Sequence, residues 1–138
     1  MESEQTFSMV KPDGVERRLI GEVIRRYESN DLSITALRMT KLSLDQAREF
    51  YGVHRDKPFF NDLVAFITSG PIVAMRVEGE ESIRRVREIM GATDHRKALP
   101  GTIRADFARE ITRNIVHGSD APETAQTELR FFFGESKA

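Results

Sequence analysis

Two hydrophobic periodicities alternate along this chain of 138 residues, and their order limits the folds that it can adopt. Alternating or wholly apolar runs predict four β-strands, at 6–10, 34–41, 72–77 and 115–117. Apolar residues at the i, i+3, i+4 spacing predict helices between and after them, at 20–27, 44–51, 59–68, 83–90, 102–107 and 125–133. With neighbouring helices counted together, the order is β-α-β-α-β-α-β-α.

This order is compatible with two architectures. Strict alternation of strands and helices is typical of a parallel, doubly wound sheet. The same order also suits a ferredoxin-like double β-α-β unit, in which helices cover one face of an antiparallel sheet. Periodicity alone does not distinguish the two.

Turn and cap residues predict where several elements begin and end. Lys11-Pro12-Asp13-Gly14 combines the residues of a tight turn, so we expect the first strand to stop there. Ser43 and Gln46 have the spacing of a capping box at a helix start. Asp120 and Glu123 have a similar spacing before the last helix, and we expect Asp120 to cap it.

Composition excludes several classes of site. The chain has no cysteine, which rules out disulfides, thiolate metal sites and cysteine catalysis. Its net charge is -1, which favours neither a nucleic-acid nor a membrane-surface partner. The polar, acidic opening residues are unlike a signal peptide, and the apolar runs are too short to span a bilayer. We therefore expect one cytoplasmic domain over residues 1–138.

A histidine, His117, ends the last predicted strand, in the stretch Arg113-Asn114-Ile115-Val116-His117-Gly118-Ser119-Asp120. Imidazole is nucleophilic at neutral pH, and the free N–H groups of the helix start that follows favour negative charge. The stretch alone favours an ordinary structural histidine. Its functional alternative is a residue that handles an anion.

Polar and cationic residues, most of them near predicted loops, are further candidates for binding phosphate: Lys11, His54, Arg87, Thr93, Arg104 and Asn114. Arginine forks suit phosphate oxygens, although a solvated surface charge is the usual alternative. Phe59 is either a core residue or an exposed plate on which a base stacks.

Common catalytic motifs are absent from the sequence. It contains neither Gly-x-x-x-x-Gly-Lys nor Gly-x-Gly-x-x-Gly, so we expect no glycine-rich phosphate cradle. The spacing of His54, His95 and His117 fits no common zinc pattern, and no Gly-x-Ser-x-Gly elbow is present.

Five motifs in register resemble the nucleoside diphosphate kinase family over essentially the whole chain. They are Lys11-Pro12-Asp13-Gly14-Val15, Arg55-Asp56-Lys57-Pro58-Phe59-Phe60, Ser69-Gly70-Pro71, Pro100-Gly101-Thr102-Ile103-Arg104 and Asn114-Ile115-Val116-His117-Gly118-Ser119-Asp120. The resemblance implies an α+β, ferredoxin-like βαββαβ fold with a four-stranded antiparallel sheet. It also implies ping-pong transfer of the γ-phosphate of a nucleoside triphosphate to a nucleoside diphosphate, through a phosphohistidine.

The resemblance implies a role for each site residue. His117 is the residue phosphorylated, Glu128 and Ser119 orient its imidazole, and Lys11 and Tyr51 complete the catalytic group. The phosphates lie against His54, Arg87, Thr93 and Arg104. Lys11 and Asn114 hold the sugar hydroxyl and the leaving group, and Phe59 stacks on the base, with Leu63 and Ile111 near it.

The implied partners are nucleoside tri- and diphosphates, with Mg²⁺ bound through the nucleotide phosphates and no metal site on the protein. A homo-oligomer is implied, either tetramer or hexamer, with no membrane and no obligatory nucleic acid. The alternatives are a nucleotide- or nucleic-acid-binding regulator and a bare structural module on the same fold. Asp94-His95-Arg96-Lys97 departs from the Asn-Pro of many relatives, which leaves the strength of the oligomer open.

Overall fold

Four antiparallel strands form a sheet in the computed structural model, which describes residues 3–134. They are β1 (Glu4–Val10), β2 (Ser33–Thr40), β3 (Ile72–Gly79) and β4 (Val116–Gly118). Their order is β2-β3-β1-β4, and each neighbouring pair is antiparallel. This is the ferredoxin-like arrangement, so the parallel alternative is wrong.

Seven α-helices occur within residues 3–134. They are α1 (Pro12–Glu16), α2 (Ile20–Glu28), α3 (Leu44–Phe50), α4 (Phe60–Ile67), α5 (Ser82–Met90), α6 (Ile103–Phe107) and α7 (Pro122–Phe133), and short 3₁₀ turns lie at Gly52–His54 and His95–Lys97. Apart from α1, each corresponds to a helix that the apolar spacing predicts, with boundaries that differ by a few residues.

Helices cover both faces of the sheet, whereas the sequence predicted one covered face. The pleat sends Phe7, Met9 and Ala74 to one side, where α3, α4 and α7 pack. It sends Val10 and Met75 to the other side, where α2 and α5 pack. We call these sides the α7 face and the α2 face. Both central strands are buried on two sides, and β1 carries the polar residues Thr6 and Ser8 on its α2 face.

The first strand ends at Val10, as the sequence predicted. The predicted turn at 11–14 and the predicted cap at Asp120 are wrong, and in both cases a proline occupies the first position of a helix. Residues 11–14 form the start of α1 because the fixed φ of Pro12 suits that position. Pro122 likewise begins α7, so Ala121 is the N-cap and Asp120 lies one residue too early to cap the helix. Thr124 instead hydrogen-bonds the Asp120 carboxylate and lowers its pKa. The capping box is confirmed, since the backbone N–H of Gln46 donates to Ser43 Oγ over 3.1 Å.

Some sequence predictions are not tested by these elements. Residues 1–2 and 135–138 lie outside the described residues, so the expectation about the first residues stays a prediction. The extent of a single domain over 1–138 also stays a prediction. Within residues 3–134, no helix combines the length and apolar character that crossing a bilayer requires.

Thr6 supplies a test of the packing on the α2 face. Its side chain is fully buried in β1, and its Oγ1 has no hydrogen-bond partner among residues 3–134. Because an unpaired buried hydroxyl is destabilising, we expect Thr6→Val to raise the free energy of unfolding by about 1 kcal/mol. Urea unfolding followed by circular dichroism measures the change. A loss of stability of similar size would contradict the description of the Thr6 hydroxyl as buried and unpaired.

Candidate functional site around His117

The imidazole of His117 is held by a carboxylate from the last helix. Both carboxylate oxygens of Glu128, on α7, lie 2.9 Å from His117 Nε2. A carboxylate can only accept, so Nε2 carries a proton and donates it. The described hydrogen bonds of the ring involve Nε2 alone, which leaves the Nδ1 lone pair available on a side chain that is 23% exposed.

Ser119 supports this pair through the carboxylate. Its Oγ donates to Glu128 Oε1 over 2.6 Å, and its own side chain is buried. The sequence grouped Ser119 with Glu128 as residues that orient the ring. The structure places its hydroxyl on Glu128 rather than on His117, so any effect on the ring passes through the carboxylate.

Two phenylalanines form the wall behind the ring. The centroid of Phe50 lies 5.5 Å from that of His117 in an edge-on arrangement, and Phe7 lies 5.9 Å away. The ring therefore lies on the α7 face of the sheet. With one side packed on aromatic groups and Nε2 bonded to Glu128, the imidazole has little rotational freedom.

A strained turn leads the chain into β4. Ile115 has a φ of 76°, which is rare for a β-branched residue, and Val116 N–H donates to the Asn114 carbonyl over 2.9 Å. This is a γ-turn centred on Ile115. It is fixed from outside, because the Ile115 N–H donates to Asp13 Oδ2 over 3.1 Å and its carbonyl accepts from the Lys11 N–H over 2.8 Å.

Two arginines bond the carbonyl groups of β4. Arg104 Nη2 donates to the Val116 carbonyl over 2.7 Å, and Arg87 Nη1 donates to the Gly118 carbonyl over 3.1 Å. Arg104 also donates to the carbonyls of Asn114 and Gly91, over 3.4 and 3.0 Å. Its side chain is 5% exposed, and burial lowers the pKa of its guanidinium to about 10. Arg104 is thus no solvated surface charge.

A second buried cation, Lys11, lies beside the arginines. Lys11 Nζ donates to Asn114 Oδ1 over 2.8 Å and to the Thr112 carbonyl over 3.2 Å. Asn114 in turn donates through Nδ2 to the Thr93 carbonyl over 3.2 Å. Burial, and then the nearby charge of Arg104, lower the pKa of Lys11 to about 8.

A row of rings leads away from the histidine towards solvent. Tyr51 is buried, and burial followed by the charge of Glu128 raises the pKa of its hydroxyl. The centroid of His54 lies 6.4 Å from the Tyr51 ring and 5.7 Å from the Phe59 ring. Phe59 is about half exposed, at 46%, so it presents an accessible ring surface and is no core residue.

The remaining candidates lie at the borders of this group. Leu63 is one turn after Phe59, in α4, and is partly buried. Ile111 is about half exposed and precedes Thr112, whose carbonyl bonds Lys11. Direct hydrogen bonds and ring contacts thus connect several of the candidates, and Ile111 lies next to Thr112, which bonds one of them.

Several residues at the site escaped the sequence analysis. Asp13 was taken as a turn residue, yet its carboxylate holds the γ-turn 102 positions further along the chain. Ser8 and Tyr27 were placed in a strand and on an apolar helix face, yet their hydroxyls bond each other beneath β4. A polar residue in a central strand is the one signal that could have indicated Ser8.

Comparisons with known proteins agree on one family. The family model described as nucleoside diphosphate kinase matches residues 4–138. The nucleoside diphosphate kinase of Rubrobacter xylanophilus is 59% identical over 131 residues, which is 95% of this chain and 98% of that protein. Nucleoside diphosphate kinase 1 of Protochlamydia amoebophila is 56% identical over 133 residues, covering 96% and 94%.

Solved structures show the same fold. The Aquifex aeolicus nucleoside diphosphate kinase has a TM-score of 0.92 at 45% identity and covers 96% of each chain. A halophilic nucleoside diphosphate kinase from Halobacterium salinarum, in complex with CDP, has a TM-score of 0.93 at 45% identity, covering 97% of this chain and 90% of that one.

Lys11 makes the stability of the protein depend on pH. Its pKa falls from an ordinary 10.5 to about 8 on folding, so between these values the unfolded chain binds a proton that the folded chain does not. The free energy of unfolding should therefore rise with pH through this window, by about 1–3 kcal/mol, while below pH 8 the burial penalty is constant.

Lys11→Met supplies the comparison, since the tyrosines titrate in both proteins. Between pH 8 and 10, the free energy of unfolding of the wild type should rise relative to that of Lys11→Met. Urea unfolding at several pH values measures it. If the difference between the two free energies of unfolding does not change with pH, the conclusion that burial destabilises the Lys11 ammonium is wrong.

Proposed function

The chain belongs to the nucleoside diphosphate kinase family, and we propose that His117 carries the phosphoryl group in its reaction. The enzyme transfers the γ-phosphate of a nucleoside triphosphate to a nucleoside diphosphate. One observation carries the assignment of His117: Glu128 occupies Nε2 and leaves Nδ1, on a partly exposed ring, as the free nucleophile.

Nδ1 attacks the γ-phosphorus in the first half-reaction. The bond from Nδ1 to phosphorus forms as the bond to the β-γ bridging oxygen breaks, and the diphosphate leaves with that electron pair. The ring gains positive charge, which the Glu128 carboxylate stabilises through the Nε2 proton. In the second half-reaction a terminal phosphate oxygen of the incoming diphosphate attacks the phosphorus of the phosphohistidine. The new P–O bond forms as the bond from Nδ1 to phosphorus breaks, and its electron pair returns to Nδ1, which regenerates the neutral ring.

In this proposal four cationic or polar residues bind the phosphates: Arg87, Thr93, Arg104 and His54. Arg104 uses only part of its guanidinium on the carbonyls of β4 and neighbouring loops, so N–H donors remain for phosphate oxygens. Lys11 and Asn114 bind the sugar hydroxyl and the leaving oxygen. The transition state spreads charge over the phosphoryl oxygens, so fixed positive groups contribute most of its stabilisation.

Phe59 stacks on the base, with Leu63 and Ile111 at its edges. Its half-exposed ring supports this role. A stacking surface contacts the π-face that every base has and reads no base edge, which accounts for acceptance of many nucleotides.

The family works with a divalent cation, and we propose that here it is Mg²⁺ bound to the nucleotide. The residues fit a metal-nucleotide complex better than a bare ion, since Lys11, Arg87 and Arg104 are cationic and the Glu128 carboxylate is already bonded to His117 and Ser119. No cluster of three His, Cys, Asp or Glu within residues 3–134 is placed to hold a metal. When bound, the ion neutralises charge on the phosphate oxygens.

We also propose that the protein forms a homo-oligomer. Strand β2 is an edge strand, and its Leu37 and Met39 are more than half exposed, which supports pairing with another chain. Tetramer and hexamer both stay open. The cytoplasmic location stays a prediction, and the regulatory alternative is not favoured.

Labelling tests the proposal directly. After incubation with Mg²⁺ and triphosphate labelled in the γ position, we expect an acid-labile, base-stable label on His117 that added diphosphate removes. His117→Gln should carry no such label, because an amide is not nucleophilic, while His95→Gln, a change at a histidine with no assigned role, should still be labelled. Mass spectrometry of peptides prepared at alkaline pH locates the phosphate. Label on another residue, or none in folded wild type, would refute the assignment.

Glu128→Gln tests the partner of the ring. An amide cannot match the charge of the carboxylate opposite the developing cation, so we expect kcat to fall by about 10- to 100-fold with thermal stability nearly unchanged. Glu123→Gln is the matched control, because Glu123 is an exposed carboxylate on the same helix. Steady-state kinetics with ATP and a diphosphate measure both variants, and equal kcat values would remove Glu128 from the mechanism.

A further inference from the structure

Two buried hydroxyls connect helix α2 to the backbone of His117. Tyr27 Oη lies 2.7 Å from Ser8 Oγ, and Ser8 Oγ donates to the His117 carbonyl over 2.9 Å. Both side chains are fully buried. They lie on the α2 face of the sheet, opposite to the face on which the imidazole lies. The two residues therefore reach the histidine through its peptide group and not through its ring.

The direction of both hydrogen bonds follows from proton counting. Each hydroxyl has a single proton, and a carbonyl can only accept. Ser8 must therefore donate to the His117 carbonyl, and its oxygen must accept from Tyr27. Tyr27 remains the donor across the working pH range, because burial raises its pKa to about 12. In such a chain each bond strengthens the next by polarisation.

The peptide group of His117 belongs to a short strand, in which His117 is paired with Met9 of β1. Strand β4 has three residues at the edge of the sheet and follows a strained turn. The side chains that bond the neighbouring carbonyls, Arg104 and Arg87, are those that the proposed function assigns to the phosphates. Ser8 and Tyr27 are not among the residues that the proposed function assigns to the nucleotide, so their hydrogen bond to the strand can be tested separately from phosphate binding.

We propose that Ser8 and Tyr27 are positioning residues for the phosphoryl transfer. Tyr27 orients Ser8, and Ser8 fixes the tilt of the His117 peptide, which sets the direction in which Nδ1 meets the γ-phosphorus. The proposal rests on the proposed function, since it takes His117 as the nucleophile. A misdirected nucleophile slows the chemical step without weakening nucleotide binding.

The two successive hydrogen bonds, from Tyr27 to Ser8 and from Ser8 to the His117 carbonyl, are called the relay below. Four variants test it: Ser8→Ala, Tyr27→Phe, the double variant, and Thr6→Val as control. Thr6 is a buried hydroxyl two residues earlier on the same face of β1, but it has no partner among the described residues. The readouts are the single-turnover rate of His117 phosphorylation by saturating Mg²⁺-ATP, the dissociation constant of ADP, and the melting temperature.

We expect Ser8→Ala to slow phosphorylation by about tenfold, since it removes both hydrogen bonds, and Tyr27→Phe by about threefold, since it removes only the bond to Ser8. ADP affinity should be unchanged in both variants. The double variant should be as slow as Ser8→Ala, because Tyr27 acts only through Ser8. It should nevertheless be more stable than Ser8→Ala, in which the Tyr27 hydroxyl is buried without a partner. Thr6→Val should react at the wild-type rate.

The test depends on whether the phosphorylation rate and the melting temperature of the variants change independently of each other. If the double variant regains speed together with stability, or if Ser8→Ala reacts within twofold of wild type, the role is structural and the proposal fails. If Tyr27→Phe slows the reaction further in the Ser8→Ala background, the relay is wrong. Should Ser8→Ala not fold, Tyr27→Phe at the wild-type rate would also refute it. Unlabelled His117 in wild type would overturn the proposed function itself, whereas normal labelling in all variants would overturn only this inference.

Discussion

The hydrogen bond between Glu128 and His117 Nε2 is the interaction on which the site depends. It joins the last helix to the last strand and determines which ring nitrogen has a free lone pair. Ser119 holds the carboxylate, and the Phe7 and Phe50 rings limit rotation of the imidazole. A ring nitrogen with a defined direction and protonation state is what nucleophilic transfer of a phosphoryl group requires.

The short strand that carries this histidine is stabilised mainly by groups outside itself. Asp13 and Lys11 hold the strained turn before it, Arg104 and Arg87 bond the carbonyls of Val116 and Gly118, and Ser8 bonds the carbonyl of His117. Burying Lys11 and Arg104 is unfavourable, as their lowered pKa values indicate. The fold therefore maintains positive charge beside the nucleophile at a cost to stability, which is expected of a site that binds phosphates.

Sequence patterns predicted much of this architecture and most of the participants. Periodicity located the strands, the capping box located the start of α3, and the family resemblance decided between parallel and antiparallel sheets. Local patterns failed where the role or burial of a residue depends on another residue that is distant in sequence. The role of Asp13, the burial of Arg104 and the bond from Ser8 to His117 all depend on residues far apart in sequence, which no local rule brings together. Prolines at the starts of α1 and α7 outweighed the turn and cap signals beside them.

The tautomer of His117 tests the central claim most directly. Nitrogen-15 NMR of the imidazole in the nucleotide-free protein distinguishes a protonated from an unprotonated ring nitrogen at each position. With Glu128 as the acceptor, Nε2 should carry the proton and Nδ1 should show the shift of a free lone pair. A resting ring with its proton on Nδ1, and Nε2 unprotonated beside Glu128, would contradict the account.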